Sequence, residues 1–154
     1  METKDMYLKL KCLQQLLNDS RKIYNRFKDI ESEQRFKSLY QQSAYSKQLQ
    51  VEELGGELGK LKQELSTQTF EEELNSNCSL QLDVMKLIKE EDCKSVLDAS
   101  RIVECKLYDS YQYTLLSSEL TSTIKWMLFH HKEKFKNTIE HIDVLNTYKK
   151  VVAA

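Results

Sequence analysis

Residues 54–78 read LGGELGKLKQELSTQTFEEELNSNC and hold all three glycines of the 154-residue chain, at 55, 56 and 59. No proline occurs anywhere, whereas average usage predicts about 8 prolines and 11 glycines in this length. Tight turns, hairpins and barrel corners are thereby excluded, and long helices remain. Glycine takes the left-handed position at a helix C-terminus without steric cost, so Gly55-Gly56 predicts a helix stop after Leu54. The polar stretch 55–78 that follows is far longer than the 2–8 residues that commonly join antiparallel bundle neighbours. It carries a modest helical piece around Leu58, Leu61 and Leu65 and a capping box, Thr69-Phe70-Glu71-Glu72. A connection of this length suits a crossover that returns the chain along the whole bundle.

On the N-terminal side, Leu10, Leu13, Leu17, Tyr24 and Phe27 recur at helical spacing, flanked by Leu16, Ile23 and Ile30. This predicts helix A over about 3–30, with Thr3 as N-cap and Asp5 in its first turn. Helix B, about 32–54, carries Phe36, Leu39, Tyr40, Ala44, Val51 and Leu54. Beyond the crossover, Leu80, Val84, Leu87 and Ile88 open helix C, about 79–117. A bend at Glu91-Asp92, with Asp92 as a second cap, precedes Val96, Leu97, Val103, Leu107, Tyr111 and Leu115. Helix D, about 119–150, carries Leu120, Ile124, Met127, Leu128, Phe135, Ile142 and Leu145, and the tail to Ala154 is expected to fray. The fold class is all-α: one four-helix bundle domain over 1–154.

Charge narrows the partners. Twenty-three basic and twenty-four acidic residues give a net charge of −1, interleaved along every segment, so nucleic acid is not the expected partner. The longest wholly apolar stretch, Trp126-Met127-Leu128-Phe129, is far below a bilayer's demand, so no membrane span is expected. Four cysteines at 12, 78, 93 and 105 form no C-x-x-C pair, and with no secretory leader visible they read as reduced thiols in a cytoplasmic protein.

Polar residues on the apolar rows need a partner or a purpose. Glu104 lies seven residues from both Leu97 and Tyr111; Lys47 lies seven from both Tyr40 and Leu54, next to Ser43. His131 shares a row with Ile124 and Leu145, and Ser20 lies seven residues from both Leu13 and Phe27. Lys47, Glu104, His131, Ser20, Ser43 and Tyr111 are therefore the candidate centre, expected to meet in one core layer. As a metal site, Glu104 and His131 would be the ligands, but the positive charge of Lys47 repels a cation. The preferred reading pairs Glu104 with Lys47 and leaves no catalytic residue, metal or cofactor. His130 and His141 are read as helix surface. Helix C and the start of helix D are apolar on more than one face, so Trp126, Phe129, Tyr108 and Tyr113 are expected at an interface with a second copy or another helical protein.

These residues resemble the bacterial ferritin-like bundle domains of unknown function, distant relatives of ferritins and rubrerythrins. The likeness runs from about Leu8 to Leu145. It is carried by Leu16-Leu17-Asn18-Asp19 with Tyr24, by Leu54-Gly55-Gly56, and by Asp92, Leu97, Glu104 and Tyr111. The resemblance implies a four-helix ferritin-like fold with a long crossover and no established activity. Metal-loaded members carry Glu-x-x-His on two helices. Here Met127, Leu128 and Thr138 stand three residues before His130, His131 and His141, which implies a centre without metal.

Overall fold

The computed structural model describes residues 3–65, 95–117 and 119–153. Among them the chain forms four helices and no strand: α1 (Thr3–Ile30), α2 (Gln34–Glu64), α3 (Val96–Ser117) and α4 (Ser122–Ala153). None of these is long and apolar enough to cross a membrane.

Along α1 the buried side chains Met6, Leu10, Leu13, Leu17, Ser20, Tyr24 and Phe27 alternate steps of four and three, which keeps one stripe facing the core. Asp5 sits in the first turn and Lys28 in the last, each favourable for the helix dipole. Thr3 is itself helical, and its hydroxyl donates to Glu64 Oε2 at 3.4 Å.

The predicted stop at Gly55-Gly56 is corrected: α2 continues for ten residues past Leu54 and ends at Glu64, where the Leu65 N–H bonds back to the Lys62 carbonyl. Each glycine costs roughly 1 kcal/mol relative to alanine in a helix. Leu58 and Leu61 extend the buried row of Leu54, and burying a leucine contributes about 1.5–3 kcal/mol, so packing offsets the glycines. A Cβ on Gly55 would come 3.4 Å from Gln14 Nε2, which donates to the Val51 carbonyl at 3.2 Å. The predicted connection therefore loses its first ten residues to helix. Its remainder beyond Leu65, the first part of helix C (79–94), the Thr69–Glu72 box and the Asp92 cap lie outside the described residues.

Side-chain caps stand before the last two described helices. Ser95 Oγ accepts the Asp98 N–H at 3.1 Å, so Ser95 caps α3. Thr121 Oγ1 accepts the Ile124 N–H at 3.4 Å, so α4 begins at Ser122 rather than near 119. Helix α4 runs to Ala153.

Cross-helix bonds fix the directions. Thr3 with Glu64 and Gln14 with Val51 make α1 and α2 antiparallel. Arg101 with Asp143 and Lys132 with Gln112 do the same for α3 and α4. The Arg35 guanidinium over the Tyr148 ring, together with Glu53 near His131, makes α2 and α4 antiparallel. It follows that α1 runs parallel to α4, and α2 parallel to α3. Hence α2 ends beside the start of α1, whereas α3 begins at the opposite end of the bundle. Packing is most extensive between α1 and α2, then between α3 and α4, and thinner between α1 and α3 and between α2 and α4.

Candidate functional site

At mid-bundle the apolar row of α2 is interrupted by Lys47 and that of α3 by Glu104. Both are buried, at 1% and 0% exposure, and Lys47 Nζ donates to Glu104 Oε1 at 2.5 Å. The ammonium also lies 5.3 Å from the Tyr24 ring centroid and 5.0 Å from that of Phe135, close enough for cation–π attraction. Every helix thus contributes: Tyr24 from α1, Lys47 from α2, Glu104 from α3, Phe135 from α4. The Tyr24 hydroxyl donates to the Ser100 carbonyl at 3.3 Å. Burial first, then the neighbouring Glu104 charge, hold its pKa well above the usual phenol value, against a smaller opposing effect of Ser43. Burial lowers the pKa of Lys47, and Glu104 opposes that shift. Glu104 Oε2 has no hydrogen-bond partner.

A second polar layer surrounds His131. Its Nδ1 is 2.9 Å from the Tyr111 hydroxyl, and its Nε2 lies 3.4 Å from Glu53 Oε2, an ion-pair distance without hydrogen-bond alignment. Burial lowers the imidazole pKa, and Glu53 pulls the other way. Neutral His131 with its proton on Nε2, toward Glu53, leaves Nδ1 to accept from Tyr111. The Tyr111 ring stands edge-on to Phe135 at 4.9 Å, so Phe135 separates the two layers.

The six predicted centre residues are all buried, but they do not form one layer. Glu104 and Tyr111 are seven residues apart on α3, roughly 10 Å along the axis. On α4, the antiparallel pairing of Arg101 with Asp143 and Gln112 with Lys132 puts Glu104 level with the turn near Glu140, not with His131. Ser20 takes no part in either layer; its hydroxyl donates to its own helix at the Leu16 carbonyl, 2.7 Å away. Ser43 lies beside Tyr24.

Three participants escaped the sequence reading. Gln50 is fully buried with neither amide atom hydrogen-bonded; its position seven residues after Ser43 was the available signal. Ser100, also fully buried, donates to the Leu97 carbonyl at 2.6 Å. Glu53 is half exposed, and nothing in the pattern of α2 marks it.

Among the described residues no group of three or more His, Cys, Asp and Glu is placed to hold a metal ion. Glu104 and His131 are not brought together, and an ammonium already sits on Glu104. The sequence Tyr111–His131–Glu53 has the order of a nucleophile, base and orienting carboxylate. Tyr111, however, is fully buried, and burial holds its pKa well above the usual phenol value, so it is neither ionised nor reachable. A groove of about 650 Å³ at the start of α3 and end of α4 is lined by Ser95, Asp98, Arg101, Asp143 and Thr147 among others. Its central charges neutralise one another, since Arg101 forks onto Asp143 at 2.7 and 3.4 Å.

The predicted interface residues divide. Trp126, Tyr113 and Phe129 are exposed, at 69, 71 and 48%, with Leu116 near them in sequence at 77%. Tyr108 is partly buried against the core. The Trp126 ring lies 3.8 Å from that of His130, and Lys132 Nζ sits over both Phe129 and Tyr108, at 5.4 and 5.6 Å. His130 and His141 are exposed. Cys105 is a free, partly buried thiol, but Cys12 is disulfide-bonded, which corrects the reading of four reduced cysteines: spacing along the chain does not reveal pairs made by folding.

Among the described residues, fold and centre define an all-α arrangement of four helices with a buried ion pair between α2 and α3. No known protein family, curated protein or solved structure matches the chain.

Proposed function

We propose that this chain is a non-catalytic structural or interaction module of ferritin-like arrangement, in which a buried ion pair stands where a metal centre would otherwise be. The observation that carries this reading is the Lys47 ammonium on the buried Glu104 carboxylate, walled by Tyr24 and Phe135. A cation there would have to displace the Lys47 ammonium from Glu104. The parallel course of α2 and α3, with α2 ending at the far end from the start of α3, supports the long crossover of ferritin-like bundles. Elemental analysis of protein purified without chelators tests the proposal. The expected result is no stoichiometric iron, manganese or zinc; stoichiometric metal that disappears in Glu104→Ala overturns it.

The exposed aromatic surface of α3 and α4 is the face we propose for a helical partner, a second copy of the chain included. Trp126→Glu is expected to leave the circular dichroism unchanged and to abolish the concentration dependence of the mass measured by light scattering. The Cys12 disulfide weighs against the cytoplasm in this reading, because reducing compartments rarely keep one. Cys12 that resists alkylation in freshly lysed cells until a reductant is added supports an oxidising compartment; immediate alkylation supports the cytoplasm.

A further inference from the structure

The apolar rows of the two diagonal helices repeat every seven residues: Tyr40, position 47 and Leu54 on α2; Leu97, position 104 and Tyr111 on α3. A pattern of this kind is nearly blind to a slide of one heptad, roughly 10 Å, because each apolar residue meets another apolar residue. It is also nearly blind to reversal of α3. The non-repeating marks are Lys47 and Glu104, which among the described residues are the buried lysine and the buried carboxylate. We propose that this pair is the register and direction code of the bundle, holding α2 and α3 parallel at one height, and that it contributes specificity of arrangement rather than stability.

The geometry supports this in three ways. First, α2 and α3 are not among the extensively packed helix pairs, so the 2.5 Å contact is a direct bond across the diagonal. Second, Glu104 lies off the midpoint of α3 (Val96–Ser117); reversing that helix about its centre carries the carboxylate roughly 8 Å along the axis, beyond the reach of Lys47. Third, every helix supplies a wall to the site through Tyr24 and Phe135, so a shift of any one of them unsettles the pair. Both alternatives leave two buried charges without partners, a penalty that apolar side chains in the same places would not impose. A single complementary polar contact in an otherwise repetitive core is an established way to select one register.

The test compares the wild type with Lys47→Met/Glu104→Leu and with the charge exchange Lys47→Glu/Glu104→Lys in the full chain. Spin labels are carried by unnatural residues at the exposed positions Gln41 and Asp109, which leaves the cysteines intact. Wild type and the charge exchange are expected to give one narrow interlabel distance. The apolar double variant is expected to keep its helicity and a melting temperature at or above that of the wild type, but to show a broadened or multiple distance and poorly dispersed amide resonances. One narrow native distance in the apolar variant overturns the proposal. So does unfolding of that variant, since the pair is then a stabilising element, and so does a scattered distance in the charge exchange.

Discussion

The two polar layers are equally buried and differ in their route to water. Lys47 and Glu104 are enclosed, with side-chain exposures of 2 and 0%, whereas His131 leans on Glu53, whose side chain is 52% exposed. In the first layer a charge is answered only by another interior group. In the second, the answering carboxylate stands in solvent and is screened. The lesson is that burial alone does not set how a polar group behaves: the enclosed pair is intolerant of truncation, while the solvent-linked histidine tolerates change but follows pH.

Breaking the enclosed layer gives the largest effect. Lys47→Met leaves Glu104 without its partner in the core and is expected to cost about 3–5 kcal/mol, as removal of one partner of a buried pair does; urea unfolding measures it. A cost below about 1 kcal/mol means that water reaches Glu104, and the contrast between the layers fails.

Alkaline pH tests both layers at once. Burial raises the pKa of Tyr24, Tyr40 and Tyr111 above the ordinary phenol value of 10.0. The folded state therefore holds phenolic protons that the unfolded chain releases, so their contribution is intact below about pH 10 and declines as pH rises beyond it. Absorbance at 295 nm is expected to show these three tyrosines ionising only with unfolding. Gradual ionisation of all eight tyrosines in the folded protein refutes this.

At His131 the sign is reversed on the pH axis. Its folded pKa lies below the unfolded value of 6.5, so the unfolded chain binds the proton first, and stability present above about pH 6.5 is lost as pH falls toward the folded pKa. Thermal melts between pH 7.5 and 5 are expected to show this loss, and His131→Gln to flatten it. Glu53→Gln removes the opposing carboxylate, so the imidazole should titrate lower still by NMR; an unchanged titration detaches Glu53 from the layer.

The smallest effect leaves both layers untouched. A Cβ at Gly56 or Gly59 meets nothing within 4 Å, so Gly56→Ala and Gly59→Ala are each expected to stabilise the protein by about 0.5–1 kcal/mol, read as a raised urea midpoint. Gly55→Ala should gain less, because Gln14 stands against it.

The candidate polar residues were legible because an apolar heptad row makes any exception conspicuous: Lys47 between Tyr40 and Leu54, Glu104 between Leu97 and Tyr111. Their division into two layers was not, because the height of one helix against another is decided by contacts such as Arg101 with Asp143, which no single helix encodes. The end of α2 was misread for an energetic reason. Glycine is a local signal worth roughly 1 kcal/mol, and the leucines beyond it bury more than that. Glu53 left no trace because an exposed acid on a helix is ordinary until a buried imidazole is found beside it.

Because α1 and α4 run in the same direction, Thr3 and Ala153 sit at opposite ends of the bundle. Fluorescent domains attached there would be separated by about the length of α4, roughly 48 Å at 1.5 Å per residue for its 32 residues. An up-and-down arrangement of four helices would instead bring both attachment points to one end.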